Sequence, residues 1–338
     1  MKRMNLEKIS SAYNLFDKAI NLLREDLDSS YMDALVETGD NLLENGEIMV
    51  EDGKPTEKVI KELEHIYAEF LAISLSPEEM RQVIQFALVN ASKVDKIQPN
   101  HQMTPDSIGL LVAYLLERIL GPKEEIKILD IAVGTGNLLS TLTNHLKQGK
   151  VKEVELFGVD NDDTLLAVAG MSLKMQQIEA HLYHQDAIDN LVTPKVDVVL
   201  SDLPVGYYPI DERVVNFGTK AKNGHSFVHH LLIEQSILQL LPGGWGIFLV
   251  PKNLFESTEA KSLLEVIQQQ AHFQGILNLP NDLFASQDSA KSLLLLQKRG
   301  NGAKQANPVL LGGFPAIKDK EAFTKFLQQV DNWINKNK

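Results

Sequence analysis

Short apolar runs alternate with helical patterns along the second two-thirds of this chain. Seven such runs, each flanked by turn residues, are typical of strands buried on both faces of a parallel sheet. They lie at 126–131, 154–159, 180–184, 196–200, 245–250, 274–279 and 292–297. Helical patterns fill most of the intervals between them. This alternation predicts an α/β fold with a seven-stranded, doubly wound sheet, in which ligands bind beyond the carboxyl ends of the strands.

Residues 1–96 follow another pattern, in which apolar residues return at helical spacing. Here Ser76-Pro77-Glu78-Glu79 is typical of a helix start, with serine as the cap, proline at the first helical position and glutamates in the first turn. We therefore predict an N-terminal all-helical domain over 1–96, a catalytic domain over 97–305 and a C-terminal helical extension over 306–338. The amphipathic helices of the first domain favour packing or interaction over chemistry.

The composition is that of a protein with at least one large core. The chain has 338 residues, 44% of them apolar, and this length suggests about two domains. It has no run of about 18 apolar residues to cross a bilayer, and no apolar segment follows the Met-Lys-Arg start as in a secretory signal. The absence of cysteine excludes disulfides, thiol nucleophiles and thiolate zinc sites. These features predict a soluble, cytoplasmic protein with no membrane role.

The net charge argues against tight DNA binding by this chain alone. A protein that grips duplex DNA usually has a basic face, because phosphate neutralisation supplies much of the affinity. Here the net charge is −12, with −8 on residues 1–100 and −4 on the remainder. Any role on nucleic acid therefore requires a local basic patch or a basic partner.

The most informative motif is a glycine turn over 130–136, with the pattern Asp-x-Ala-x-Gly-x-Gly after the first predicted strand. A dinucleotide-binding turn needs a third glycine where this chain has Leu139, and the Gly-Lys-Ser/Thr of a phosphate loop is absent. Asp160 ends the next predicted strand, 24 residues after Gly136. Because two glycines let the backbone approach a ligand and a carboxylate at that distance can take ribose hydroxyls, the pattern favours a nucleoside site over an ordinary turn with capping acids.

A second motif follows the fourth predicted strand. Residues 201–209 read Ser-Asp-Leu-Pro-Val-Gly-Tyr-Tyr-Pro, so an acid, a proline and two tyrosines stand at the carboxyl end of a strand. In a doubly wound sheet this is where a substrate binds. We therefore predict a substrate site beside the nucleoside site.

Together the motifs resemble the class I S-adenosylmethionine-dependent methyltransferases, and among them the gamma-class N6-adenine DNA methyltransferases. The similarity runs from about residue 100 to 300 and is greatest to the modification subunit of type I restriction systems. It implies a Rossmann-like methyltransferase sheet with S-adenosylmethionine as cofactor. It also implies a set of cofactor-binding residues: Gln102, Met103, Thr104, Pro105, Asp130, Ala132, Gly134, Thr135, Gly136, Asn137, Leu138, Asp160, Asn161, Asp186 and Ala187.

The resemblance gives the members of this set different roles. A Thr-Pro at a helix start, here Thr104-Pro105, contacts the carboxylate of the cofactor; Pro105 lies 25 residues before Asp130. Asp130 and the turn over 132–138 hold the methionine part. Asp160 holds the ribose, and Asp186, after the third strand, accepts from the adenine amino group.

The resemblance also implies a set of catalytic residues: Asp202, Pro204, Tyr207 and Tyr208. In the family signature, (Asn/Asp/Ser)-Pro-Pro-(Tyr/Phe), an oxygen of the first side chain and a main-chain carbonyl accept the hydrogens of an exocyclic amine, and the aromatic ring stacks on the extruded base. This chain departs from the signature, because Leu203 replaces the first proline and Val205 replaces the aromatic residue. Tyr207 and Tyr208 are the candidates to stack instead, and the departure points to a degenerate site or an altered specificity.

The expected activity is methyl transfer to a nitrogen, with the N6 of adenine in DNA as the first candidate. RNA or a protein glutamine is an alternative acceptor, because sites of this type also serve amide nitrogens. A regulatory protein that binds S-adenosylmethionine but has lost methyl-transfer activity is a further alternative, suggested by Leu203, Val205 and the acidic net charge. The expected partners are DNA, bound weakly by the isolated chain, and a specificity subunit or a second copy of the chain.

Three histidines raise the question of a metal. His225 and His229 are one helical turn apart, and His230 follows directly. No acid-rich cluster nearby completes a site, so we expect capping or loop contacts and no metal.

Overall fold

The computed structural model describes residues 6–147, 151–284 and 289–337. Its helices are α1 (Leu6–Leu27), α2 (Tyr31–Leu43), α3 (Glu57–Ala72), α4 (Pro77–Val94), α5 (Asp106–Leu120), α6 (Asn137–Leu146), α7 (Asp163–Met175), α8 (Val228–Gln239), α9 (Ala260–Gln270) and α10 (Lys320–Asn337). Its strands are β1 (Lys123–Asp130), β2 (Val151–Asp160), β3 (His181–His184), β4 (Val196–Asp202), β5 (Leu240–Pro251), β6 (Ala271–Asn278), β7 (Lys291–Lys298) and β8 (Leu310–Gly313). Among the described residues, none of the helices combines the length and apolarity needed to span a bilayer.

The described strands form one sheet in the order β3-β2-β1-β4-β5-β7-β6-β8. β1 is parallel to β2 and β4, and β4 is parallel to β5, whereas β7 runs antiparallel to both β5 and β6. The chain winds outward from β1 to β3 and returns to β4 on the other side of β1. The winding therefore reverses between β1 and β4, which is where ligands bind in sheets of this kind.

The predicted fold class is confirmed, with one strand more than expected. All seven predicted strands are present, and β8 adds an eighth that runs parallel to β6. β8 lies within the stretch predicted as a helical extension, of which α10 is the helical part. Its sequence is Leu-Leu-Gly-Gly and its last three residues are exposed, so it lacks the buried apolar run that marks the inner strands β1, β4, β5 and β7.

The contacts divide the described residues into two compact units. The first contains the residues up to Pro105 together with 134–140 and 162–182, and the second contains the described residues of 106–133, 141–161 and 183–338. Each unit draws on separate stretches of the chain. The three linear domain ranges given above stay predictions.

The first unit has a core formed by the apolar faces of its helices. α7 contributes to this core through Val168 and Met171, together with residues of α1 to α4. α2 contains a glycine, Gly39, at which a Cβ would lie 2.3 Å from Met171 Cγ. A side chain at position 39 would force this neighbour to move, so the glycine permits the close approach of α2 and α7.

The predicted helix start at Ser76 is confirmed. The Ser76 hydroxyl accepts from the main-chain N–H of Glu79 at 3.3 Å, and the Glu79 carboxylate accepts from the main-chain N–H of Ser76 at 2.9 Å. This reciprocal pair is a capping box, and it satisfies two donors that a helix end leaves exposed. Lys8 of α1 also donates to Glu79 at 2.8 Å, which links two helices of the unit.

The second unit is built around the sheet. Four neighbouring strands contribute fully buried side chains to its core: Leu129, Val199, Phe248 and Leu294. Because the inner strands are covered on both faces, polar side chains reach solvent mainly at strand ends. The last residues of β1, β2 and β4 are Asp130, Asp160 and Asp202. The predicted carboxylates are thus found at the edge of the sheet where its parallel strands end.

Candidate functional site

Asp130 ends β1, and only 1% of its surface is exposed. Ser201 Oγ donates to Asp130 Oδ1 at 2.7 Å, and the main-chain N–H of Ala132 donates to the same oxygen at 3.2 Å. Burial raises the pKa of this carboxyl to about 7; the charges of Asp160 and Asp202 act in the same direction, and the two hydrogen bonds oppose it. Asp130 is therefore a carboxyl group that exchanges its proton near neutral pH.

Asp160 ends β2, the strand beside β1. The main-chain N–H of Gln185 donates to the Asp160 carbonyl oxygen at 2.9 Å, which ties the loop after β3 to the end of β2. A ring nitrogen of His184 lies 3.1 Å from the carbonyl oxygen of Asn161 and strengthens the same connection. The end of β2, which carries Asp160, and the loop after β3, which carries Asp186, are thus joined by a main-chain hydrogen bond and by the His184 ring.

The turn after β1 has a conformation that glycine favours. Gly134 and Gly136 have φ angles of +51° and +75°, which are unfavourable for residues with a side chain. A Cβ on Gly134 would meet nothing within 4 Å, whereas a Cβ on Gly136 would lie 3.2 Å from the Cβ of Ala169. Gly134 therefore leaves open space that a ligand can use, and Gly136 permits close packing on α7.

Asn137 connects the glycine turn to the Thr-Pro segment. Asn137 Nδ2 donates to the carbonyl oxygen of Thr104 at 2.6 Å, and Asn137 Oδ1 accepts from Gln85 Nε2 at 2.9 Å. Asn137 and Thr104 are both buried, and α5 begins at Asp106, directly after Pro105. The Asn137 side chain therefore positions main chain, a role that its place in the motif does not reveal.

Asp202 ends β4, and its side chain is 21% exposed. Lys291, the first residue of β7, donates through Nζ to Asp202 Oδ1. β5 lies between the strands that carry these two residues. Since β7 runs antiparallel to β5, Lys291 pairs with Pro251 at the end of β5 and so reaches the edge at which β4 ends. The predicted catalytic acid is therefore part of an ion pair.

Leu203 explains one departure from the family signature. Its main-chain N–H donates to the carbonyl oxygen of Leu249 at 3.2 Å, and its side chain is fully buried. A proline has no N–H and could not make this bond. Leucine therefore extends the β4–β5 hydrogen bonding by one residue past Asp202. Pro204 is half-buried, and Val205, in place of the stacking aromatic, is 41% exposed.

The two tyrosines have different surroundings. Tyr208 is buried, and its hydroxyl donates to Asp186 Oδ2 at 2.7 Å. Burial, followed by the hydrogen bond to Asp186, raises the pKa of Tyr208 to about 12. Arg213 Nη1 donates to the same oxygen at 3.2 Å. Tyr207, by contrast, is 63% exposed and stacks on Phe227, with ring centroids 4.8 Å apart and 20° between the planes. Of the two tyrosine rings, that of Tyr207 is accessible to a second stacking ring.

The three histidines are dispersed between surface and core. His225 is exposed and lies 3.1 Å from Asp211 Oδ2. His229 and His230 are buried, and burial lowers the pKa of His229 to about 3 and that of His230 to about 4. Both rings are therefore neutral at physiological pH. Within the described ranges, no group of three or more His, Cys, Asp or Glu side chains could hold a metal ion.

Three residues of this edge were not expected from the sequence: Ser201, Arg213 and Lys291. Ser201 directly precedes Asp202 in β4. Because side chains alternate along a strand, the Ser201 side chain points to the face opposite to that of Asp202, and this alternation could have identified Ser201. Lys291 is 89 residues from Asp202 in the chain, and no spacing rule connects them. Arg213 lies in the polar segment between β4 and α8, where several basic residues were equally eligible.

The family model described as N-6 DNA Methylase matches residues 84–329. The chain belongs to this family. A second family model, for the YtxK N-terminal helical domain, matches residues 10–91. The chain therefore combines the methyltransferase sheet with a helical region that has a family model of its own.

Two relatives resemble this chain over almost its whole length. The uncharacterised protein YtxK of Bacillus subtilis is 37% identical over 335 residues, which cover 99% of this chain and 100% of YtxK. The crystal structure of a candidate class I S-adenosylmethionine-dependent methyltransferase from Listeria monocytogenes is 38% identical, with a TM-score of 0.89, and the match covers 98% of this chain and 100% of the other.

More distant relatives carry the name of type I restriction enzymes. The EcoEI methylase subunit of Escherichia coli is 24% identical over 242 residues, which are 66% of this chain and 49% of that subunit. The type I restriction-modification methyltransferase subunit of Streptococcus thermophilus has a TM-score of 0.65 at 14% identity, covering 95% of this chain and 74% of the other. The second likeness concerns the fold alone.

As a member of this family, the protein is an S-adenosylmethionine-dependent methyltransferase. The residues at the end of β1 fit a ligand of this kind. A Cβ on Gly134 would meet only open space, and the buried Asp130 carboxyl can become an anion near neutral pH. The first feature admits a ligand close to the main chain, and the second suits the positive charge of the methionine part.

Proposed function

We propose that this protein transfers a methyl group to the exocyclic N6 of adenine in DNA. The observation that carries the proposal is the position of Asp202, whose partly exposed carboxylate ends β4, the strand next to β1. Asp202 is near enough to contribute to the raised pKa of Asp130 at the end of β1. An amine bound at Asp202 would therefore be close to a cofactor held at Asp130.

The side chains at this edge suit an amine that is a poor nucleophile. Bound S-adenosylmethionine would supply an electrophilic methyl group and leave as S-adenosylhomocysteine, and the methylated nitrogen would release one proton. The lone pair of an exocyclic amine is delocalised into the ring. An oxygen of Asp202 can accept an amine hydrogen, which localises the lone pair on nitrogen, and the same carboxylate can take the released proton. Most of the remaining rate enhancement would come from positioning.

We assign the cofactor to residues at the ends of three strands. Asp130 ends β1 and Ala132 lies just beyond it, Asp160 ends β2 and Asn161 follows it, and Asp186 and Ala187 lie in the loop after β3. Two contacts between the ends of β2 and β3, one main-chain hydrogen bond and one contact of the His184 ring, support this assignment, because they hold Asp160, the predicted ribose acceptor, near the loop of Asp186, the predicted acceptor for the adenine of the cofactor. Residues 102–105 and 134–138 stay predictions from the family motifs.

The two tyrosines receive different roles in this proposal. Tyr207 has an exposed ring that already stacks on Phe227, so it is the candidate to stack on a target base. Tyr208 is buried, and its hydroxyl donates to Asp186. We infer that Tyr208 positions Asp186 to bind the adenine of the cofactor and does not contact the substrate base. Pro204 would then restrict the main chain between Asp202 and these tyrosines.

The acidic charge makes a partner part of the proposal. With a net charge of −12 the chain lacks the overall basic character by which proteins usually grip DNA. We infer that recognition of a particular DNA sequence requires a second protein, either a specificity subunit or another copy of this chain, whereas the chain alone carries out transfer without sequence preference. Distant relatives named as subunits of type I restriction enzymes give this inference its precedent.

Radiolabelled S-adenosylmethionine tests the acceptor directly. The protein is incubated separately with DNA, RNA and total cell protein, and each fraction is then counted. We expect label in DNA, and after digestion to nucleosides we expect it in N6-methyldeoxyadenosine. The variant Asp202→Ala should lower turnover by about a hundredfold or more, because it removes a positioned acceptor, while cofactor affinity changes much less.

Glu256→Ala is the matched control, since it removes an exposed carboxylate from the segment after β5. It should leave turnover unchanged. Label confined to RNA or to a protein glutamine would replace DNA as the substrate. Full activity of Asp202→Ala would remove Asp202 from the mechanism. Binding of the cofactor without label in any fraction would support the alternative of a regulatory protein that binds S-adenosylmethionine.

A further inference from the structure

The ion pair between Lys291 and Asp202 puts a hydrogen-bond donor next to a hydrogen-bond acceptor. Lys291 Nζ donates to Asp202 Oδ1, and the two side chains are 24% and 21% exposed. Neither side chain is fully buried, so both the ammonium of Lys291 and the carboxylate of Asp202 can contact a substrate. The proposed reaction uses only the carboxylate. The ammonium of Lys291 has no role in it so far.

The main chain of Lys291 is fixed on several sides. Its carbonyl oxygen accepts from the N–H of Leu279 at 3.1 Å, and the carbonyl of the preceding Ala290 accepts from the N–H of Lys252 at 3.0 Å. Lys291 also pairs with Pro251 across the sheet. A lysine that begins on a fixed strand and ends on a fixed carboxylate loses less freedom on binding a ligand than a lysine on a mobile surface.

Only some bases complement a donor beside an acceptor. The Watson–Crick edge of adenine has the N6 amino group, a donor, next to N1, a ring nitrogen with an in-plane lone pair. Guanine and thymine have the reverse order at the corresponding positions, a carbonyl oxygen next to an N–H. Enzymes that act on an extruded base read it through hydrogen bonds to this edge. Asp202 matches the amino group, and an ammonium at its side matches N1.

We propose that Lys291 is a specificity-determining residue that donates a hydrogen bond to the ring nitrogen next to the methylated amine. The inference rests on the proposed function, because it takes adenine as the acceptor. Lys291 then has two effects at the site. It holds the Asp202 carboxylate in place, and it disfavours bases that present an N–H or a C–H where adenine has N1. The amine is selected by Asp202 and its neighbour in the ring by Lys291.

A base analogue isolates the second contact. Two oligothymidylate strands are prepared, one containing a single adenine and the other a single 1-deazaadenine. The analogue keeps the amino group but has C–H in place of N1. Single strands are used, because the target base then need not be extruded from a duplex. Initial rates of label transfer from S-adenosylmethionine, at oligonucleotide concentrations below KM, give the ratio of kcat/KM for the two acceptors.

We expect the preference for adenine over 1-deazaadenine to be about tenfold or more greater in the wild type than in Lys291→Met, the scale of a hydrogen bond from a charged donor. Lys252→Met is the matched control, since it removes an exposed lysine near the same end of β5. It should keep the wild-type preference. The ratio is internal to each protein, so a smaller folded fraction of one variant does not change it.

The outcomes separate the role of Lys291 from the proposed function. Transfer to both oligonucleotides with the same preference in the wild type and in Lys291→Met would overturn the role of Lys291 and leave the proposed function intact. The same loss of preference in Lys252→Met would also overturn it, because a general effect of positive charge would then be responsible. No transfer to either oligonucleotide by the wild type would contradict the proposed function and, with it, adenine as the base that Lys291 reads.

Discussion

Asp130 is subject to two opposing influences at neutral pH. Its burial favours the protonated form, whereas the donors Ser201 and Ala132 favour the carboxylate. Burial prevails, and the pKa is raised to about 7. At a pH just below 7 the folded protein therefore retains a proton on Asp130 that the unfolded chain has already released. The stability of the protein therefore depends on pH through this one side chain.

The direction of this dependence follows from the raised pKa. Between about pH 4 and pH 7 the unfolded chain loses its proton from Asp130 while the folded protein keeps it, so stability falls as the pH rises through this window. Asp130→Asn keeps an oxygen for Ser201 and has no proton to lose. Between pH 5 and pH 8 the free energy of unfolding of the wild type, measured by urea titration, should fall by about 3 kcal/mol relative to the variant, because about two pKa units of the shift lie in this interval.

The comparison of the two proteins at each pH removes the contribution of other groups. His229 and His230, whose pKa values are lowered, act in the opposite direction and destabilise the fold as the pH falls below about 6.5. They are present in both proteins. An equal change of stability in wild type and Asp130→Asn would mean that the Asp130 carboxyl ionises as in the unfolded chain.

At the scale of elements, the end of β4 shows how one residue alters a strand. Leu203 supplies an N–H to Leu249 of β5 at 3.2 Å, and both side chains are fully buried. Leu203→Pro would restore the first proline of the family signature and delete this N–H donor, so the carbonyl oxygen of Leu249 would lose its hydrogen bond. We expect a loss of about 1–3 kcal/mol in the free energy of unfolding, measured by urea titration.

Val205→Tyr is the companion variant, since it restores the aromatic residue of the signature at an exposed position. It should change stability by no more than about 0.5 kcal/mol. If Leu203→Pro were as stable as the wild type, the hydrogen bond to Leu249 would not be the reason for the leucine.

The elements that the sequence predicts are those with a local signature. The seven apolar runs and the helix start at Ser76 each occupy a continuous stretch, and each is present. β8 has no such signature, because its partner β6 supplies most of what holds it in the sheet. The same distinction applies to the site. Asp202 could be identified from its motif, whereas Lys291 and the burial of Tyr208 depend on contacts between distant parts of the chain.

At the scale of the whole molecule, charge limits what the chain does alone. A net charge of −12 repels the phosphate backbone, and non-specific affinity for DNA comes largely from phosphate contacts. We expect the isolated protein to bind random duplexes with a dissociation constant above about 1 μM at near-physiological salt and with little sequence preference. A gel-shift titration of the purified chain measures this.

Submicromolar, sequence-selective binding by the purified chain would contradict this expectation. It would mean that the recognition surface belongs to this chain and that a local basic region outweighs the net charge. The same titration at two salt concentrations distinguishes the cases, because the slope of affinity against salt reports the number of phosphates that the protein neutralises.

The antiparallel course of β7 has a consequence for how the protein is made. Asp202 leaves the ribosome 89 residues before Lys291, whereas Asp130, Asp160 and Asp186 all leave earlier still. At typical rates of synthesis this delay lasts roughly 4–18 s. For that time the nascent chain contains every proposed cofactor carboxylate and the acid of the site, but not the lysine that binds the acid. Translation itself therefore sets the order in which the site is assembled, with the residue proposed to read the base arriving last.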